Sequence, residues 1–131
     1  MTFDERTRAF HDLHQQGSFV LPNAWDAASA AVMVSAGAQA LATTSSGMSW
    51  SLGYCDGENL SLDENLAVVA RMIRTVDVPV TADLEAGYGD KPSDVAASIR
   101  AAIEVGASGA NLEDNPRLGE GIIMDADEMA E

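Results

Sequence analysis

Asp83 and Glu85 stand two residues apart at the end of an apolar run, Val78-Pro79-Val80-Thr81-Ala82, and Gly87-Tyr88-Gly89 follows at once. Side chains alternate faces along a strand, so this spacing predicts two carboxylates on one face at the carboxyl end of the element. Like charges that close repel unless a metal, a proton or a basic group lies between them. A second short run, Ser108-Gly109-Ala110-Asn111-Leu112, ends on Glu113 and Asp114. Acids converging on one strand edge, beside glycines that permit a tight turn, predict a divalent-cation site. Oxygen donors without His or Cys favour magnesium or manganese over zinc.

Other residues have a weaker chemical signature. Asp56, in Gly53-Tyr54-Cys55-Asp56-Gly57, falls in the connection after the second predicted strand and so on the same edge, although Asp beside Gly is also an ordinary turn former. Thr44-Ser45-Ser46-Gly47 offers hydroxyls and backbone N–H groups to an anionic substrate. It is no Walker motif, because the terminal Lys-Ser/Thr is missing, and Gly87-Tyr88-Gly89 lacks the third glycine of a dinucleotide fingerprint. Ser45 and Ser46 have no partnered His, which removes support for a hydrolase triad. His11 and His14 read as a surface or half-buried pair and Cys55 as a plain thiol.

These residues need a scaffold, and the chain alternates the two kinds of element. A helix is predicted over about Phe3 to Gln16, then a short buried strand at Phe19-Val20-Leu21-Pro22. Asp26 caps an Ala-rich helix to Ala36 with Gly37 as its stop, and Ala38 to Thr43 reads as the second strand. From Thr44 through Asn59 the pattern predicts a long irregular connection. Ser61-Leu62-Asp63-Glu64 is a capping box opening a helix to about Thr75, with Leu66, Val69, Met72 and Ile73 as its apolar face. A third strand runs from Val78 to Asp83, a helix from Pro92-Ser93-Asp94 to Val105, and a fourth strand from Ala107 to Leu112. Beyond Pro116 a loop leads to Met124-Asp125-Ala126-Asp127-Glu128-Met129, the opening of another helix. The order β-α-β-α-β-α-β-α makes a parallel sheet the natural outcome, either part of a barrel or a doubly wound sheet. In such folds ligands bind at the carboxyl ends of the strands.

With 131 residues and 47% hydrophobic content, the chain is sized for one modest domain spanning residues 1–131. A formal net charge of −14, from 21 acids and 7 bases, argues against a nucleic-acid surface and against an anionic membrane. From Glu113 to Glu131 there are seven acids and only Arg117 as a base, which reads as a solvated acidic segment. No run approaches a membrane span, and Met1-Thr2-Phe3-Asp4-Glu5-Arg6 lacks the regions of a secretory signal, so a cytoplasmic location is expected. One cysteine allows no intrachain disulfide, in keeping with a reducing compartment.

Five blocks resemble, in order, those of the isocitrate lyase and phosphoenolpyruvate mutase superfamily: Leu21-Pro22-Asn23-Ala24-Trp25-Asp26, Thr43-Thr44-Ser45-Ser46-Gly47, Leu52-Gly53-Tyr54-Cys55-Asp56, Ala82-Asp83-Leu84-Glu85-Ala86-Gly87-Tyr88-Gly89 and Asn111-Leu112-Glu113-Asp114. The resemblance implies an α/β fold of the (β/α)8 TIM-barrel type with magnesium at the carboxyl end of the strands. It matches Asp83 to the direct metal ligand, and Asp56, Glu85 and Glu113 to residues that hold the ion mostly through water. Ser46 and Gly47, with Ser45 beside them, match the segment that binds a substrate carboxylate, and Tyr88 lies by the pocket. Asp56 and Tyr88 are thereby the candidate catalytic residues. The implied chemistry is cleavage, formation or rearrangement of a C–C or P–C bond next to a 2-oxo acid, through an enolate.

Two departures shape the expectation. Family lyases that split isocitrate carry a Cys-containing motif shortly after the fourth-strand acids, where this sequence reads Asn115-Pro116-Arg117-Leu118-Gly119-Glu120, which favours the phosphonomutase-like branch. A full barrel needs about 250 residues. The first four βα units, a half-barrel, are therefore expected here, with the substrate-neutralising Arg of the family beyond residue 131. The isolated chain is expected to be weakly active or inactive, and to self-associate or pair with a C-terminal half. The rival reading is a non-catalytic half-barrel module that binds a cation or associates with itself; a nucleotide-binding domain is weakened by the absent phosphate loop.

Overall fold

The computed structural model describes residues 1–15, 17–114 and 123–130. Its elements are α1 (Phe3–Gln15), β1 (Asn23–Ala24), α2 (Ala27–Ser35), β2 (Leu41–Thr43), α3 (Ser45–Leu52), α4 (Leu62–Thr75), β3 (Val80–Asp83), α5 (Pro92–Glu104), β4 (Gly109–Asn111) and α6 (Ala126–Met129). All three strand pairings are parallel, and the strand order in space is β1-β2-β3-β4, the order in sequence. A doubly wound sheet reverses its strand order at a switch point, whereas a barrel adds each strand beside the last. Among the described residues the sheet therefore follows the barrel rule.

The helix boundaries follow from the caps. Asp26 and Ser29 form a reciprocal capping box at the start of α2, and Ser61 and Glu64 form another at α4. At the end of α2, Gly37 N–H donates to the Val34 carbonyl and Ala38 N–H to that of Met33. At the end of α5, Gly106 and Ala107 donate likewise to Ile103 and Ala102. Both junctions are Schellman closures with a left-handed glycine, which explains why Ala36-Gly37-Ala38 and Val105-Gly106-Ala107 look alike.

β2 and β3 are buried along their whole length, as expected of parallel strands covered on both faces. α2 packs on β1, α4 on β3 and α5 on β4, with α4 touching both α2 and α5. Leu41, Met48, Leu60, Val69, Met72, Val80, Ala82 and Leu84 form the centre of the core. α1 buries none of its residues fully but is tied to the end of α4, where the Arg6 guanidinium donates to the carbonyls of Ile73 and Val76. No helix among the described residues is long and apolar enough to cross a membrane.

Three local expectations are corrected. The first strand is not Phe19 to Pro22: pairing starts where the Pro22 carbonyl accepts the Ala42 N–H, Val20 is exposed, and Phe19 instead packs edge-to-face on Phe10 and His14. Strands two to four are shorter than their apolar runs, and Schellman turns consume Ala38 ahead of β2 and Ala107 ahead of β4. The segment after Thr43 is not an irregular connection over its whole length. Its first half is α3, opened by the Thr44 side chain and closed by Gly53 in the left-handed conformation. The opening of a last helix is present as α6, whereas Gln16 and the loop over 115–122 lie outside the described residues.

Candidate active site

Asp83 closes β3, and both of its carboxylate oxygens accept hydrogen bonds. Oδ2 accepts the Ser45 N–H at 3.0 Å; Oδ1 accepts the Glu85 N–H at 3.1 Å and the Asn111 amide at 3.0 Å. Asn111 is the register partner of Asp83 on β4, so the strand pairing itself delivers that donor. The Asp83 main chain is fixed too: its N–H donates to Thr43 Oγ1 at 2.8 Å and its carbonyl accepts from Asn65 Nδ2 at 3.1 Å. Asp83 is thus buried at a point where four elements meet.

Glu85 lies beyond the strand in a left-handed conformation, φ 49°, so strand alternation does not place its side chain. It is nevertheless brought to the same site by the turn. Oε2 accepts the Glu58 N–H at 2.6 Å, while Oε1 is buried and accepts no hydrogen bond. Burial pushes this carboxyl above the usual glutamate value; the Glu58 hydrogen bond opposes the rise, and the charges of Asp56, Glu58 and Asp83 add to it.

Glu113 follows β4, exposed, with its N–H donating to the Glu85 carbonyl at 2.7 Å. Its carboxyl is also raised, by partial burial first and then by the charges of Asp83, Asp56, Asp114 and Glu58. Asp56 is exposed on the loop after α3, and its charge is felt by both glutamates. Asp56, Asp83, Glu85 and Glu113 therefore share one field on the carboxyl side of the sheet. Among the described residues no ion pair involves any of them. No three His, Cys, Asp or Glu side chains among those residues already converge as a metal cage.

Ser45, Ser46 and Gly47 form the first turn of α3. The Ser45 N–H is spent on Asp83, the Ser46 hydroxyl meets Thr44 Oγ1 at 3.3 Å, and the Gly47 N–H reaches the same oxygen at a long 3.4 Å. A Cβ on Gly47 would fall 2.8 Å from the Thr44 methyl and 3.1 Å from Trp25 Cβ, so only glycine fits between the cap and the residue after β1. Tyr88, φ 61°, has its hydroxyl bonded by Asn65 Nδ2 at 2.9 Å. Burial first, and the neighbouring carboxylates after it, hold its phenol far above the usual tyrosine value.

The turn from Leu84 to Gly89 is fixed from several sides. Ser98 Oγ donates to the Gly87 carbonyl at 2.7 Å, and added Cβ atoms at Gly87 and Gly89 would meet Val95 at 2.9 Å and Asp94 at 2.1 Å. Sequence reasoning missed Asn65, Asn111, Thr43 and Glu58. Asn65 had a visible signal: it lies on the buried stripe of α4 with Val68, Val69 and Met72, where a polar side chain must have a partner. His11 and His14 are exposed on α1, and Cys55 is an exposed free thiol.

A parallel α/β sheet in barrel order, with acids gathered at its carboxyl edge, defines the class. Residues 10–131 match the family model described as phosphoenolpyruvate phosphomutase, and the chain belongs to that family. Two uncharacterised proteins of Mycobacterium tuberculosis are 40% identical over 108 residues, which cover 82% of this chain and 40% of theirs. A Burkholderia cenocepacia protein with a provisional phosphonomutase name is 44% identical with a TM-score of 0.89, over 96% of this chain and 51% of its own. A 2,3-dimethylmalate lyase of the PEP mutase/isocitrate lyase superfamily is 28% identical, TM-score 0.81, over 98% and 45%. An oxaloacetate acetylhydrolase solved with its product oxalate is 27% identical, TM-score 0.84, over 96% and 45%. The chain spans about half the length of these solved structures and 40% of the curated relatives.

Proposed function

We propose that this chain binds magnesium, replaceable by manganese, and supplies the metal-holding side of an active site. The site acts on a 2-oxo acid or related small carboxylate, through an enolate, with cleavage, formation or rearrangement of a C–C or P–C bond. The observation that carries this reading is the buried Glu85 Oε1, which no protein donor reaches, in a field of carboxylates with no basic partner among the described residues. An all-oxygen donor set of this kind suits a hard divalent cation. Asp83 would contact the ion, and Glu85, Glu113 and Asp56 would hold it, mostly through water. Bound there, the ion would offset the charge that develops on the oxo oxygen of the substrate.

The other tasks fall to the chain itself. Ser45 aligns α3 on Asp83, which leaves Ser46 and Gly47 at the positive end of that helix to receive a substrate carboxylate. Tyr88 donates its hydroxyl proton towards the pocket, and Asp56 is the exposed carboxylate that manages a proton or an ordered water beside the reacting atoms. The four βα units constitute half of a (β/α)8 barrel, one domain over residues 1–131, in a cytoplasmic protein. The barrel is closed by a second half or by another copy, and turnover by the 131-residue polypeptide alone is at most weak.

Calorimetric titration of magnesium into the purified chain tests the reading. A saturable heat is expected that Asp83→Asn removes, together with negligible oxaloacetate consumption by the polypeptide alone. Absence of binding by the unaltered chain, or equal binding by the variant, overturns it.

A further inference from the structure

Three non-glycine residues among those described have left-handed backbone: Glu58 at φ 54°, Glu85 at 49° and Tyr88 at 61°. Two hydrogen bonds join all three. The Glu58 N–H donates to Glu85 Oε2 at 2.6 Å, and Glu58 Oε1 accepts the Tyr88 N–H at 2.9 Å. A left-handed side-chain-bearing residue costs about 1–2 kcal/mol, so such conformations persist only where the surroundings fix them. Glu58 comes from the loop after α3, whereas Glu85 and Tyr88 belong to the turn after β3. One residue thus binds a neighbouring loop with its main chain at one end and its carboxylate at the other.

The consequence for Glu85 is specific. With Oε2 occupied by the Glu58 amide, Oε1 is the oxygen left for a cation. Tyr88, held by Glu58 at its main chain and by Asn65 at its hydroxyl, cannot swing without breaking one of these bonds. We propose that Glu58 is a positioning residue, a clasp that presents Glu85 to the cation and holds the Tyr88 turn closed without itself ligating. The inference rests on the metal site proposed above.

Glu58→Gln keeps a carbonyl oxygen for Tyr88 and the backbone N–H for Glu85; Glu58→Ala keeps only the latter. With magnesium alone as the probe, calorimetry should find Glu58→Gln binding as the unaltered chain does and Glu58→Ala weakened about tenfold or more, the size of effect known for groups that orient metal ligands. Equal affinity in all three proteins overturns the clasp. Equal loss in both variants means that Glu58 acts through its charge, which also overturns it. Should Glu58→Ala fail to fold by circular dichroism, amide hydrogen exchange in the unaltered chain decides. The Tyr88 N–H is expected to be protected in the unaltered chain and in Glu58→Gln, which keeps its acceptor, and an unprotected Tyr88 N–H in the unaltered chain refutes the clasp. A chain that binds no magnesium yet protects this amide refutes the metal site and leaves the closed turn standing.

Discussion

Asp83 connects β2 through Thr43, α3 through Ser45, α4 through Asn65 and β4 through Asn111. The positions of Asp83 and Glu113 at the ends of apolar runs were legible in the sequence, whereas Glu85 is carried by a left-handed turn that strand alternation does not describe. The partners of these acids were not legible, since an Asn or a Glu acquires its task from whatever the fold sets opposite it. Asp26 is a simpler case, readable from the capping pattern alone. The Ser29 amide and hydroxyl hold its carboxyl below the ordinary aspartate value, a depressed folded-state pKa. Its contribution to stability is therefore present above the unfolded value of about 3.9 and fades as pH falls through the folded one. Asp26→Ala should cost about 1 kcal/mol at pH 7 in urea unfolding. The gap from the unaltered chain should narrow as pH falls below about 3.9 and on through the lower folded-state value, because protonation removes the charged cap that the variant lacks.

At the scale of elements, caps were the reliable signal and apolar runs the unreliable one. α2, α4 and α5 begin where their capping residues or Pro92 predict, whereas strands two to four start later than their apolar runs. α3 escaped notice because Ser-Ser-Gly-Met-Ser-Trp has weak helix propensity and no regular apolar stripe; the Thr44 cap and Gly53 stop were its only marks. The turn after β3 depends on glycine in a way that can be measured. Gly87 has φ 98°, and a methyl there would press on Val95 at 2.9 Å. Gly87→Ala should lose about 1–2 kcal/mol in urea unfolding, and magnesium affinity with it, because the same turn carries Glu85.

For the molecule as a whole, the alternation of elements revealed the parallel sheet, but choosing barrel order over a doubly wound order required the pairings themselves. Within the described residues β1 and β4 each have a strand on one side only, and β4 is partly exposed. Such edges invite further pairing, while a net charge of −14 opposes the approach of a second copy. Salt weakens that repulsion over a Debye length of about 10 Å at 0.1 M and about 3 Å at 1 M. Sedimentation velocity of the 131-residue polypeptide should accordingly show association that grows with salt; a monomer at every salt concentration would mean that the edges are blocked.

The coincidence of strand order with sequence order also gives the site a history. In a chain made from its N-terminus, each strand of this sheet is synthesised after the neighbour it pairs with. Asp83 arrives with the third strand, when Thr43 and the first turn of α3 are already in place, and Asn111 is the partner that comes last. The carboxylate at the centre has its full set of donors only once the fourth strand has paired, so the edge strand of the sheet is also the last support of the site.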